Sequence, residues 1–281
     1  MQILNGKELS AKIRLEIKED VKNNFLDKGL PAPTLAVVLV GEDPASKIYV
    51  ANKEKACEEV GINSRTIKLP ENSTMEEIID VINALNQDNK VDGILVQLPL
   101  PNRMDATHII ESINPNKDVD GLTYINKGKL VSNLDGIAPC TPSGIIDLLK
   151  YNNVQIEGKN AVIIGRSQLV GRPVEILLNN LNATTTICHS KTQNLKDITT
   201  QADILVVAVG KPNYVTAEYI KHGATVVDVG INRVDGKVVG DVDGESVKNV
   251  AGYLTPVPGG VGPMTITELL KNTLKCAKLH N

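Results

Sequence analysis

Residues 161–178, AVIIGRSQLVGRPVEILL, decide how this chain is read. A short apolar run ends at Gly165, and a helical pattern opens near Gly171. A strand, a glycine turn and a helix are the parts of a dinucleotide-binding loop, whose free helix N–H groups suit a pyrophosphate. The usual middle glycine is missing, since the spacing is G-x-S-x-x-x-G rather than G-x-G-x-x-G. Ser167 need not break the loop: its hydroxyl can donate to a phosphate oxygen if the backbone stands slightly further off. The plainer alternative is a glycine turn that only packs a helix on a strand.

The next strand-like run, TTTICHSKT, bears on cofactor choice. NAD-selective loops place an acid about 20 residues on, against the ribose hydroxyls. Between Ile176 and Lys196 there is no Asp or Glu, only His189, Ser190 and Lys191, with Arg166 in the loop itself. That set suits the 2′-phosphate of NADP.

Further runs of the same kind are TLAVVLVG, GILVQLPL, ADILVVAVG and ATVVDVG. Their unbroken apolar character predicts parallel strands covered on both faces. Amphipathic stretches lie between them, among them STMEEIIDVINALNQD, where Ser73 and Glu76 form an expected capping box. The pattern is doubly wound α/β. Turn-rich NPNKDVDG and CTPSG place a boundary near residues 114–144, which gives units of about 1–139 and 140–261; the final helical segment could join either.

Bulk numbers narrow the function. The chain has 281 residues, net charge −3, one Phe, six Tyr and no Trp, so neither a cationic surface nor a stacking platform for nucleic acid is expected. Four scattered cysteines have no zinc spacing, so no metal is expected and reduced thiols are. The first residues carry no leader-like apolar stretch, and no run is long enough to span a bilayer. A soluble cytoplasmic protein is expected.

One lysine stands out. In GEDPASKIYVANKEKACEEVG, residues 41–61, Asp43 is an expected N-cap, Pro44 the first helical residue and Gly61 the stop. On a helical wheel Lys53 falls about 140° from Ile48, inside a stripe with Ala56, Tyr49, Val60, Ser46 and Cys57. The other charged residues lie opposite. Withdrawal from water favours a neutral amine, which can act as a base; the bland alternative is a lysine that snorkels to solvent. Gln97 interrupts an apolar run and needs partners, with Lys53 one option. Asp118 and Asp120 sit in an Asp-Gly turn that could be structural only. PVPGGVGP, residues 256–263, is a loop with little side-chain bulk, which lets backbone approach a flat ligand.

Seven stretches in order, SKIYVANK (46–53), GILVQLPLP (93–101), INPNKDVDGL (113–122), PCTPSG (139–144), GRSQLVGRP (165–173), CHSKT (188–192) and TPVPGGVGPMT (255–265), resemble the bifunctional methylenetetrahydrofolate dehydrogenase/methenyltetrahydrofolate cyclohydrolase family. The resemblance implies NADP-dependent oxidation of 5,10-methylenetetrahydrofolate, then hydrolysis of the methenyl product to 10-formyltetrahydrofolate, within one-carbon metabolism and purine biosynthesis. It implies two lobes around a cleft: an N-terminal α/β catalytic domain, rejoined by a C-terminal helix at 262–281, and a Rossmann-type NADP-binding domain. It also implies a homodimer. By the same resemblance Lys53 is the general base, Gln97 holds it, Tyr49 packs on the folate and Asp120 bonds the pterin. Pro258, Gly259 and Gly260 border the folate; Gly165, Arg166, Ser167, Ser190 and Ile231 contact NADP, with Thr141 near the nicotinamide. Leu122 stands where the family usually has an aromatic. Two rivals are a shikimate-type NADP dehydrogenase and a non-catalytic NADP-binding regulator.

Overall fold

A computed structural model describes residues 1–101 and 104–280. In chain order the elements are β1 (Gln2–Ile3), α1 (Gly6–Asn24), β2 (Thr34–Val40), α2 (Pro44–Val60), β3 (Asn63–Leu69), α3 (Met75–Gln87), β4 (Gly93–Val96), α4 (Ala106–Glu111), α5 (Tyr124–Val131), α6 (Cys140–Tyr151), β5 (Asn160–Ile164), α7 (Gly171–Asn180), β6 (Thr184–Cys188), α8 (Leu195–Thr199), β7 (Ile204–Val207), β8 (Thr225–Asp228), β9 (Asn232–Val234), β10 (Lys237–Val239), α9 (Gly244–Val247), β11 (Tyr253–Leu254) and α10 (Val261–His280). The fold is α/β and divides into two compact units.

The first unit comprises residues 12–140 and 266–281. Its parallel sheet has the order β3-β2-β4. Strand β2 is apolar throughout because both of its faces are covered. Leu35, Val37 and Leu39 face a cluster with Ile17 and Val21 of α1, Val50, Cys57 and Val60 of α2, and Leu269, Leu270 and Leu274 of α10. Ala36, Val38 and Val40 face Ile78, Ile82 and Leu85 of α3. The period of two in the strand thus sorts neighbouring residues into two cores. Polar β3 pairs with β2 alone and forms the edge of the sheet.

Local signals explain the helix limits. The Asp43 side chain accepts from Ser46 N at 2.7 Å, Pro44 opens α2, and Gly61 ends it with φ +81°. Helix α3 does start with a capping box, but one residue later than expected: Thr74 and Glu77 form it, with bonds of 2.8 and 3.2 Å. Ser73 instead is buried. Both pairs fit the S/T-x-x-E pattern, so spacing alone did not choose between them.

The second unit comprises residues 1–11 and 141–265. Its six parallel strands follow the order β1-β11-β8-β7-β5-β6. Strand β5 has β6 on one side and β7 on the other, so the strand order reverses beside β5, where doubly wound sheets hold ligands. The expected boundaries need correcting at the N-terminus. Residues 1–11 belong with this unit because Gln2 N donates to Gly252 O at 2.7 Å and Leu4 N to Leu254 O at 2.9 Å. The start of α1 then packs on the 256–263 loop: Lys7 N donates to Gly259 O at 3.0 Å, and a Cβ at Gly6 would sit 1.8 Å from Gly260 O. A two-residue strand carries too little pattern to be seen in the sequence.

Candidate functional site

In the first unit the buried side of α2 carries Ser46, Val50, Ala56, Cys57 and Val60, and Lys53 lies among them half-buried. It neither vanishes into the core nor turns out into solvent. Lys53 Nζ donates to Gln97 Oε1 at 2.9 Å. Gln97 stands just past the end of β4 and is 8% exposed. Its backbone N extends the ladder to Val38 O at 2.9 Å, while Nε2 donates to Leu98 O at 2.5 Å. With the amide nitrogen committed to backbone, the amide oxygen has to face the lysine. Tyr49, one turn before Lys53, is 46% exposed, at the open edge of the same face.

The two aspartates of the DVDG turn separate cleanly. Asp118 is 1% exposed and accepts from Leu122 N, Thr123 N, Thr123 Oγ1 and Asn126 Nδ2 at 2.8–3.2 Å. It builds the turn. Asp120 bonds the Cys140 thiol at 3.5 Å instead. Its carboxyl pKa is raised, chiefly by withdrawal from water, with the Lys53 charge pulling the other way and Asp118 adding to the rise. Lys53 therefore bonds Gln97 and acts electrostatically on Asp120, and Asp120 keeps its carboxylate out of the turn. Leu122, after the turn, is a packed aliphatic side chain buried at 7% exposure.

Cys140 and its neighbour Asn272 escaped the sequence reading. A polar residue one turn from Leu269 and Cys276 on a buried side of α10 was the available signal.

In the second unit, β5 and β6 pair with Ile164 opposite Cys188, so residues 165–167 and 189–191 emerge side by side at the carboxyl ends. Gly165 has φ +128°, and a Cβ there would lie 2.3 Å from Ala208 O at the end of β7. A Cβ at Gly171 would lie 2.2 Å from Gly165 O. Both glycines are thus needed for close approach. Ser167 Oγ accepts from Val170 N at 3.2 Å and Gly171 N at 3.3 Å, which leaves its hydrogen free for an incoming oxygen. Arg166 and Ser190 are exposed beside it. The turn after β6 is held by His189 N donating to Thr192 Oγ1 at 2.8 Å and Lys191 N donating to His189 Nδ1 at 3.2 Å. The glycine turn, the helix start and the absence of an acid after β6 fit a dinucleotide with a 2′-phosphate.

Thr141, Ile231 and the residues of the 258–260 turn belong to this second unit and not to the unit that bears Lys53. Thr141 and Thr265 share a hydroxyl hydrogen bond of 2.9 Å. Ile231 is 57% exposed, and Pro258 is exposed beside Gly259, whose φ is +107°.

Two buried aspartates not singled out in the sequence fix turns at the carboxyl ends of β7 and β8. Asp241 accepts from Val209 N, Gly210 N and Lys211 N at 2.7–2.9 Å, and so fixes the turn after β7. Asp228 accepts from Gly230 N, Asp241 N and Val242 N, each at 2.9 Å. Burial nonetheless pushes its pKa up to about 6, with the nearby Asp241 charge contributing. Among the described residues no group of His, Cys, Asp or Glu is arranged to hold a metal.

Comparison with known proteins identifies the family. Residues 4–120 match the catalytic domain of tetrahydrofolate dehydrogenase/cyclohydrolase, and residues 139–281 match its NAD(P)-binding domain. The Bifunctional protein FolD of Campylobacter hominis is 54% identical over 279 residues, covering 99% of this chain and 98% of that protein. The crystal structure of the FolD methylenetetrahydrofolate dehydrogenase/cyclohydrolase from Campylobacter jejuni superposes with a TM-score of 0.98 at 52% identity, covering 100% of both chains. The FolD enzyme of Trypanosoma brucei, solved with NADP cofactor and an inhibitor, has a TM-score of 0.94 at 38% identity, covering 99% of this chain and 97% of that one. The chain belongs to the tetrahydrofolate dehydrogenase/cyclohydrolase family.

Proposed function

We propose that this chain oxidises 5,10-methylenetetrahydrofolate with NADP and hydrolyses the resulting 5,10-methenyltetrahydrofolate to 10-formyltetrahydrofolate. Family membership removes the shikimate-type alternative. The observation that carries both activities is Lys53 bonded to Gln97 and electrostatically coupled to Asp120, in a chain that also holds the glycine turn for a dinucleotide. NADP, when bound, accepts the hydride that leaves the one-carbon bridge. The chain's own residues do the rest. The Gly165 turn and the Ser167 hydroxyl hold phosphate, and Arg166 with Ser190 read the 2′-phosphate. Asp120 bonds the pterin, and Tyr49 packs on it. Pro258, Gly259 and Gly260 contribute a folate-facing surface, Ile231 contacts the cofactor, and Thr141 orients the nicotinamide side.

In the second step a water oxygen bonds the methenyl carbon, and Lys53 Nζ takes the water's proton. The bond from that carbon to N5 then breaks, N5 gains a proton, and one proton is released overall. Gln97 Oε1 accepts a hydrogen from Nζ, which holds the lysine nitrogen in place for the water.

The remaining parts of the reading have narrower support. A homodimer and a role in purine biosynthesis rest on the family resemblance, the latter because the product is a formyl donor. Net charge −3 supports the absence of a nucleic-acid partner. Four buried free cysteines support a cytoplasmic location. No described helix is long and apolar enough to cross a membrane.

The test is Lys53→Gln, assayed for both steps on protein of unchanged melting temperature. Hydrolysis of methenyltetrahydrofolate should fall about 10²–10⁴-fold, as expected when a general base is lost. Hydride transfer abstracts no proton from the bridging carbon, so it should fall less. A folded variant that hydrolyses at the parental rate would withdraw the catalytic role of Lys53.

A further inference from the structure

We propose that Asn272, on the C-terminal helix α10, is the residue that positions Asp120 for folate. The inference rests on the reading above, in which Asp120 bonds the pterin.

Asn272 is buried at 9% exposure, one helical turn from the buried side chains of Glu268, Leu269 and Cys276. An apolar side chain would pack there without the cost of burying an amide, so the amide has to be repaid by its bonds. Nδ2 has two hydrogens, and two backbone carbonyls take them: Val119 O at 2.8 Å and Ala138 O at 3.0 Å. Val119 immediately precedes Asp120. Ala138 lies two residues before Cys140, whose thiol reaches Val119 O at 3.4 Å and Asp120 Oδ1 at 3.5 Å. Asn272 Nδ2 also stands 3.6 Å from the Cys140 sulfur.

One amide therefore clamps the two chain segments that meet around Asp120. The contact between those segments is already tight: a Cβ at Gly121, the next residue, would lie 2.5 Å from Ile137 O. Asp120 itself has few tethers, since the four-donor anchoring of the turn belongs to Asp118. The backbone on its N-terminal side is fixed from outside the turn by Asn272. Without that donor Ala138 O loses its amide partner and Val119 O keeps only the weak Cys140 thiol, and Asp120 can drift on the scale at which catalysis is sensitive.

Asn272→Leu keeps the size and removes both donors; Asn272→Ser is smaller and keeps one. Each is assayed for KM and kcat with methylenetetrahydrofolate and with NADP, alone and combined with Asp120→Asn. Asn272→Leu should raise the folate KM about tenfold, with Asn272→Ser between it and the parent, while the NADP KM stays unchanged. On the Asp120→Asn background either substitution should add less than about twofold, because the group being positioned is gone. If Asp120→Asn weakens folate use and Asn272→Leu and Asn272→Ser do not, the positioning role is overturned and the role of Asp120 stands. If both KM values rise together, or the effects multiply in the double variants, Asn272 is a packing residue and the proposal fails. If Asp120→Asn leaves folate kinetics unchanged, the reading of Asp120 fails and takes this proposal with it. Should Asn272→Leu not fold, the same comparisons on Asn272→Ser decide the matter.

Discussion

Gly165→Ala tests the dinucleotide loop by adding one methyl group. The new Cβ would lie 2.3 Å from Ala208 O and 3.1 Å from Ala208 C, both backbone atoms that cannot swing aside. Ordinary carbon contacts are about 3.5 Å, so the turn or the end of β7 has to move by about 1 Å. The φ of +128° adds a second cost, because a side chain rarely tolerates that region. Backbone strain of about 1–3 kcal/mol and overpacking of about 1–3 kcal/mol sum to roughly 2–6 kcal/mol. Even the low end corresponds to about 30-fold in affinity if it is expressed at the loop. The NADP KM of the dehydrogenase should therefore rise at least about 30-fold, measured well below the melting temperature. Hydrolysis of methenyltetrahydrofolate consumes no dinucleotide and should stay within about twofold of the parent. A parental NADP KM would refute the loop assignment. Parallel loss of both activities in a folded variant would refute the separation of the two roles.

Arg166→Ala should raise the NADP KM about 10- to 150-fold and leave NAD use nearly unchanged, as for loss of one charge-assisted hydrogen bond; equal efficiency with NADP and NAD in the parent would sink the 2′-phosphate reading. Asp228 has a folded pKa of about 6 against an ordinary 3.8, so its contribution to stability is fully present below about pH 4 and is lost as pH rises through 6. That difference is worth up to about 3 kcal/mol. The stability gap between the parent and Asp228→Asn, read from denaturation at a series of pH values, should shrink from pH 4 to pH 7, and a flat gap would contradict it. Thr74→Ala should cost about 1 kcal/mol through loss of the capping box at α3, checked by denaturant midpoint, with activity per folded molecule unchanged.

The sheets were legible because burial on both faces writes itself as unbroken apolar sequence. TLAVVLVG could hardly be anything but a covered strand, and β2 sends alternate residues into two cores. Lys53 was legible because a charge among small and apolar residues breaks the helical pattern, and Gln97 because an amide in an apolar run demands a partner. What sequence concealed was contact between distant segments. Edge strand β3 is polar on its open side and looks like a loop. The choice between Ser73 and Thr74 as cap depended on the path of the chain into α3. Asp118 and Asp120 are chemically the same in the sequence, and only the four donors around Asp118 tell them apart. Asp241 gave no signal because its partners, residues 209–211, are remote backbone amides.

Strand β1 pairs with β11, Gln2 opposite Tyr253 and Ile3 opposite Leu254. During synthesis Gln2 and Ile3 thus emerge long before their partner exists. The sheet of the dinucleotide-binding unit gains its last strand only when residue 254 has been made, and loop closure over such a span is slow compared with local pairing. Meanwhile β2, β3 and β4 can already pair, since they lie within residues 34–96. On the ribosome, the edge of β11 becomes a docking strand for a segment made about 250 residues before it.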